Sequence, residues 1–173
     1  MNRPGNQREE DAPRFVCDAM LGGLARWLRA AGYSAEFNVR AADGEIVRKS
    51  VEEAKILVTS DSGIMERYAV EEGLARTIFI PPGLSVVAQL ARVLGELGLT
   101  LRPSRCMDCN GTLRPTALDE VAEDVPDKVR RWCDRFFVCE GCGKVLWHGT
   151  HWLSISSRLL QAQQQAESLR KGQ

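Results

Sequence analysis

Four of the chain's six cysteines fall in two CxxC pairs, Cys106-Met107-Asp108-Cys109 and Cys139-Glu140-Gly141-Cys142, separated by residues 110–138. Two such pairs can place four thiolates tetrahedrally around one zinc ion at about 2.3 Å each, leaving no open position for a reacting water. The zinc expected here is therefore structural. A lone CxxC could instead be a thioredoxin-like dithiol, but that explains one pair and not two. Gly111 and Gly143 follow the pairs where a metal knuckle needs tight turns. Cys17 and Cys133 are read as small residues without a chemical role.

Three aspartates form the second candidate centre. Asp18 closes the apolar run Arg14-Phe15-Val16-Cys17, Asp61 closes Ile56-Leu57-Val58-Thr59-Ser60, and Asp43 opens a helical pattern. In a parallel sheet, ligands gather beyond the carboxyl ends of the strands. Carboxylates brought together repel unless a cation neutralises them, and hard oxygen donors suit Mg²⁺ or Mn²⁺. Such a centre activates water for attack on a phosphodiester. Each aspartate also stands where a helix cap is common, and caps need no metal. Glu53 is either a fourth acid or a solvated face residue. Arg26 and Arg29 lie on another face from Leu21, Leu24, Leu28 and Ala31, as phosphate contacts or solvated helix residues.

The elements that must position these groups follow from periodicity. Apolar residues at three- and four-residue spacing predict a helix up to Gly32, which suits its C-cap. Ser34 to Val39 reads as a second strand and Ala41 to Ala54 as a helix. Lys55 to Thr59 is a strand whose consecutive large apolar residues imply burial on both faces. Ser62 to Glu72 reads as a helix ending at Gly73, Arg76 to Ile80 as a fourth strand stopped by Pro81-Pro82, and Ser85 to Leu97 as a fourth helix. This alternation predicts a small α/β domain over residues 14–101.

Residues 102–153 change character, being rich in cysteine and poor in apolar runs. FFVCEGCGKVLW reads as a hairpin with metal ligands at its turn, and Val125 to Arg135 as a short helix. Residues 1–13 read as a disordered leader and 154–173 as a helix with a polar, fraying tail. The 44% hydrophobic and 27% charged residues exclude a wholly disordered chain. A formal net charge of zero excludes a global positive field, so any nucleic acid must be held by a local patch. No segment reaches the roughly 18 apolar residues of a membrane span, and MNRPGNQREEDAP lacks a signal peptide's apolar core. A cytoplasmic protein without membrane contact is expected.

The stretch from Phe15 to Gly32, with Ile56 to Asp61, Arg105 to Asn110, Val125-Pro126 and Cys139 to His151, resembles the Mut-seven C-terminal RNase family. That resemblance covers residues 14–153. It implies a PIN-like parallel sheet with helices on both faces, followed by a zinc ribbon. It also implies a metal-dependent ribonuclease with Asp18, Asp43 and Asp61 at the acidic positions, and Thr59 placed to orient the Asp61 carboxylate. Ser60 stands where the family often has Arg, and His148 where small or charged residues are usual.

The expected function is a Mg²⁺- or Mn²⁺-dependent endoribonuclease on single-stranded RNA, with a ribbon that helps to hold the strand. The alternative from another class is a non-catalytic RNA- or protein-binding module whose acids serve as caps. A toxin-like nuclease controlled by a partner is a third reading. Trp147 and Trp152 either stack bases or pack within the ribbon. His151 is either an RNA contact or zinc neighbour, or it packs beside Trp152.

Overall fold

The computed structural model describes residues 12–67, 70 and 72–172, so most of the expected leader lies outside the described residues. The first half alternates strand and helix. In chain order it runs β1 (Phe15–Cys17), α1 (Gly22–Ala30), β2 (Ala35–Phe37), α2 (Asp43–Glu52), β3 (Ile56–Thr59), α3 (Ser62–Met65), β4 (Thr77–Phe79) and α4 (Val86–Glu96). The strands form a parallel sheet in the order β2-β1-β3-β4. Side chains alternate across it. Phe15, Cys17, Ile56 and Val58 enter a core with α1 and α4, while Val16 and Leu57 enter a second core with Ile46 and Val47 of α2 and Ile64 of α3. Both faces are covered, which explains the consecutive apolar residues Ile56, Leu57 and Val58 of β3.

Gly32 ends the first helical segment at φ +94°, and a Cβ there would lie 2.5 Å from the Cβ of Arg102. Both the backbone angle and the incoming chain therefore require glycine. The helix expected over Ser62 to Glu72 is regular over Ser62–Met65, and residues 68, 69 and 71 lie outside the described set.

The second half is an antiparallel sheet of β5 (Leu113–Thr116), β6 (Phe136–Cys139) and β7 (Val145–Trp147), in that order. Two short helices, α5 (Leu118–Val121) and α6 (Asp127–Arg130), lie between β5 and β6. Val121, Val125, Cys133 and Phe136 form its small core. β5 escaped the sequence reading because LRPT carries a proline and exposed residues, features of an edge strand.

The chain then returns to the α/β unit. α7 (Thr150–Lys171) is one continuous helix, so the expected fraying tail is corrected. Leu159, Ala162 and Ala166 are buried in the core that holds α4. The close approach is set by small residues: a Cβ on Gly95 of α4 would lie 3.2 Å from the Ala166 carbonyl oxygen. Two alanines four apart among glutamines are a narrow apolar stripe, too weak to read as a buried face in isolation.

Candidate functional site

Parallel pairing of β1 with β3 sets Cys17 beside Val58 and so brings Asp18 level with Thr59. Asp18 is 3% exposed. Its Oδ1 accepts the backbone N–H groups of Met20 (2.9 Å) and Leu21 (3.1 Å), capping the turn that leads into α1. Its Oδ2 accepts the Thr59 hydroxyl (2.5 Å) and the Ser60 N–H (2.7 Å). Two oxygens offer about four acceptor sites, and four donors meet them. Thr59 Oγ1 in turn accepts the Asp61 N–H at 2.9 Å. Thr59 thus orients the Asp18 carboxylate and the Asp61 backbone, not the Asp61 carboxylate as the resemblance implied.

Asp61 caps α3, its Oδ1 accepting the Gly63 N–H at 2.7 Å. Asp43 differs. Ala42 occupies the cap position of α2, so Asp43 is the first helical residue and makes no capping bond. Its half-exposed carboxylate faces Arg67 at 3.7 Å, the residue just beyond α3. Beside this cluster Cys17 is fully buried, and burial first, then the neighbouring Asp18, pushes its thiol up to about 12. It is an inert core residue.

The four CxxC thiols converge. Their sulfur atoms all lie within 4.8 Å of one another, with Cys106–Cys142 at 4.0 Å and Cys109–Cys139 at 3.3 Å. Tetrahedral sulfur ligands at about 2.3 Å from zinc lie about 3.8 Å apart, so the donor set fits. Burial pushes the Cys139 thiol up, but the N–H groups of Cys142 and Gly141 and the neighbouring thiols outweigh it and hold it at about 7. A Cβ on Gly111 would lie 2.8 Å from the Cys139 sulfur, so only glycine leaves that sulfur its place. No other group of three or more ligating side chains is gathered closely enough to hold an ion among the described residues.

The remaining candidate residues sit away from the three aspartates. Arg29 is 8% exposed, its Nε donating to the Ala35 carbonyl (2.8 Å) and its Nη1 to those of Met107 and Asp108 (2.9 Å each). Burial lowers its pKa from the usual arginine value. It bolts α1 to the amino end of β2 and to the first knuckle, so it is no phosphate contact beside the acids. Arg26 is exposed but pairs with Asp108 of that knuckle at 3.1 Å, away from the sheet's carboxyl end. Glu53 joins Lys55 and Lys49 ahead of β3, at the opposite end of the sheet from Asp61, so it is no fourth acid. His148, not His151, is the packed histidine: it lies against Phe137 (4.8 Å between centroids) and stacks on Trp152 (4.4 Å, 5°). His151 is exposed at the start of α7.

The model of the Mut7-C RNAse domain family matches residues 13–159, spanning the parallel sheet, the cysteine ribbon and the start of α7. The chain belongs to the Mut7-C family. Membership makes it a ribonuclease-type domain. No curated protein and no solved structure matches the chain. No helix among the described residues is long and apolar enough to cross a membrane. For a Mut7-C chain the donors at the carboxyl end of the sheet suit Mg²⁺ or Mn²⁺ in kind, being carboxylate oxygens. They do not form a ready cage. Gathering all three on one ion requires Asp43 to leave Arg67 and Asp18 to release one of its four donors.

Proposed function

We propose that the protein is a Mg²⁺- or Mn²⁺-dependent ribonuclease, cutting single-stranded RNA endonucleolytically at the carboxyl end of its parallel sheet. The observation that supports this best is the Asp18–Thr59–Asp61 chain across two adjacent strands, with Asp43 opening the helix that follows β2 at the same end of the sheet and not spent on a cap. A divalent ion held there would supply an activated water and neutralise charge on the scissile phosphate. Asp43 and Asp61 hold it in this reading, while Asp18 fixes the β1–β3 junction beneath them. The ribbon zinc is structural.

The test is cleavage of an unstructured RNA with Mg²⁺ or Mn²⁺, against EDTA. Asp61→Asn keeps the cap, because Asn caps as well as Asp, yet removes the charge, and so should abolish cleavage with the melting temperature retained. Asp43→Asn should also cost activity. Asp18→Asn is a less clean probe, since its amide nitrogen would face N–H donors and cost about 1–3 kcal/mol of stability. Cleavage surviving both EDTA and Asp61→Asn would refute the proposal.

One observation favours a second reading. Every acceptor site of Asp18 is met by a donor from the chain itself, as a purely structural cap would have it. A non-catalytic RNA- or protein-binding module is the reading that remains if the wild type shows no cleavage with Mg²⁺ or Mn²⁺.

A further inference from the structure

A cleft of about 870 Å³ opens where α1, residues 102–105, the ribbon sheet and the first turns of α7 meet. Its cations are Arg26, Arg102, Arg105, Lys144 and Arg158, and the one acid among its described lining residues is Asp108. The chain as a whole carries no net charge, so this is a local concentration. Arg26 (3.1 Å) and Lys144 (2.6 Å) share Asp108 between them, and a zinc ion with four thiolates would add a local charge of about −2 beside the cleft. The apolar wall is aromatic, including Trp27, Phe137, Trp147 and Trp152. His148 stacks on Trp152 (4.4 Å, 5°), and Phe137 lies tilted at 39° against the histidine.

We propose that this cleft is a second RNA site, one that grips unpaired nucleotides. Cations meet phosphates and aromatic rings meet base faces, the two contacts that single-stranded nucleic acid offers together. A duplex hides its base faces, and an acidic peptide would leave the aromatic wall without a matching ring. The site is separate from the acids: the ribbon is fastened to the amino end of the sheet through Arg29 and through Asn110, whose Oδ1 accepts the Ala35 N–H at 3.2 Å. The strand is thus held at one end of the sheet and presented to the acids at the other. The choice of RNA over DNA rests on the ribonuclease reading.

The experiment uses the full chain with zinc retained and no added Mg²⁺ or Mn²⁺. Binding of a labelled oligouridylate of about 16 nucleotides is followed by fluorescence anisotropy as a function of salt. Arg26→Ala with Arg158→Ala, both at exposed positions, should weaken binding at least tenfold. Two lost phosphate contacts should also reduce the log–log salt slope by about 1.4. Trp152→Ala should weaken binding about 5- to 150-fold, and the arginine pair keeps the test valid if that variant fails to fold. Unchanged affinity and slope in the arginine double variant overturn the cleft, as does wild-type protein that binds an acidic peptide and not the oligonucleotide. The two proposals fail separately. Cleavage lost in Asp61→Asn with cleft variants binding normally refutes only the cleft. Cleft-dependent binding without cleavage in Mg²⁺ or Mn²⁺ refutes only the ribonuclease.

Discussion

Replacing Arg29 by alanine separates a structural bolt from a substrate contact. Three carbonyls lose a charged donor. Those of Met107 and Asp108 lie on half-buried and exposed residues, where water can replace the guanidinium, whereas Ala35 is fully buried. One buried carbonyl left without its partner costs about 1–3 kcal/mol, and the side chain's lost packing adds about 1 kcal/mol. A total of about 3 kcal/mol corresponds to a fall in melting temperature of about 6–12 °C for a chain of this size. Thermal unfolding by circular dichroism with zinc present measures it. Arg29→Lys retains the charge but offers a compact ammonium in place of the planar fork, and so should fall between wild type and alanine. If Arg29→Ala melts within about 2 °C of wild type while RNA binding weakens, the residue is a phosphate contact and the reasoning is wrong.

Metal analysis should return one zinc per chain, and Cys139→Ser or a strong chelator should unfold the ribbon, seen by loss of near-ultraviolet signal from Trp132 and Trp147. His148 should give acid sensitivity. Burial first, then Arg135, lowers its folded pKa, so the unfolded chain binds the proton more readily. Stability is therefore full above the unfolded value of about 6.5 and falls as pH drops from there through the folded value. A melting temperature that falls from pH 7.5 to 5.5 in wild type, and falls less in His148→Phe, checks this. Gly95→Val should lower the melting temperature by several degrees, because a Cβ already meets Ala166 at 3.2 Å. Limited proteolysis should leave α7 intact past residue 160, and rapid loss of residues 162–171 would contradict its docking.

The parallel sheet and the cluster of four cysteines were legible because each has a local signature. β3 is a run of large apolar residues, and two CxxC pairs state their ligands outright. The environment of the acids was not legible. That Asp18 is filled by Thr59 and Ser60 depends on β1 lying beside β3, a long-range pairing that no spacing encodes. Arg29 read as a surface residue because its acceptors come from β2 and from a knuckle far along the chain. Glu53 stayed open between a fourth acid and a solvated residue because spacing does not show that β3 carries the chain from the amino end of the sheet to its carboxyl end between Glu53 and Asp61. α7 was misread because its buried stripe is alanine, which makes contact by being small and not by being strongly apolar.

The docking of α7 on α4 makes the ribbon an insertion whose two ends are pinned to one body. If the ribbon were to lose a bound metal and melt, residues 108–149 would become a flexible loop, because residues 97–107 lie against the core that α4 and α7 share. Closing a loop of about 40 residues costs about 3.3 kcal/mol plus a constant, and the cost rises only with the logarithm of length. With zinc on the four cysteines, its loss would therefore melt the ribbon while the parallel sheet and its three aspartates stay folded, so a preparation short of metal would keep its acidic end and lose its cleft.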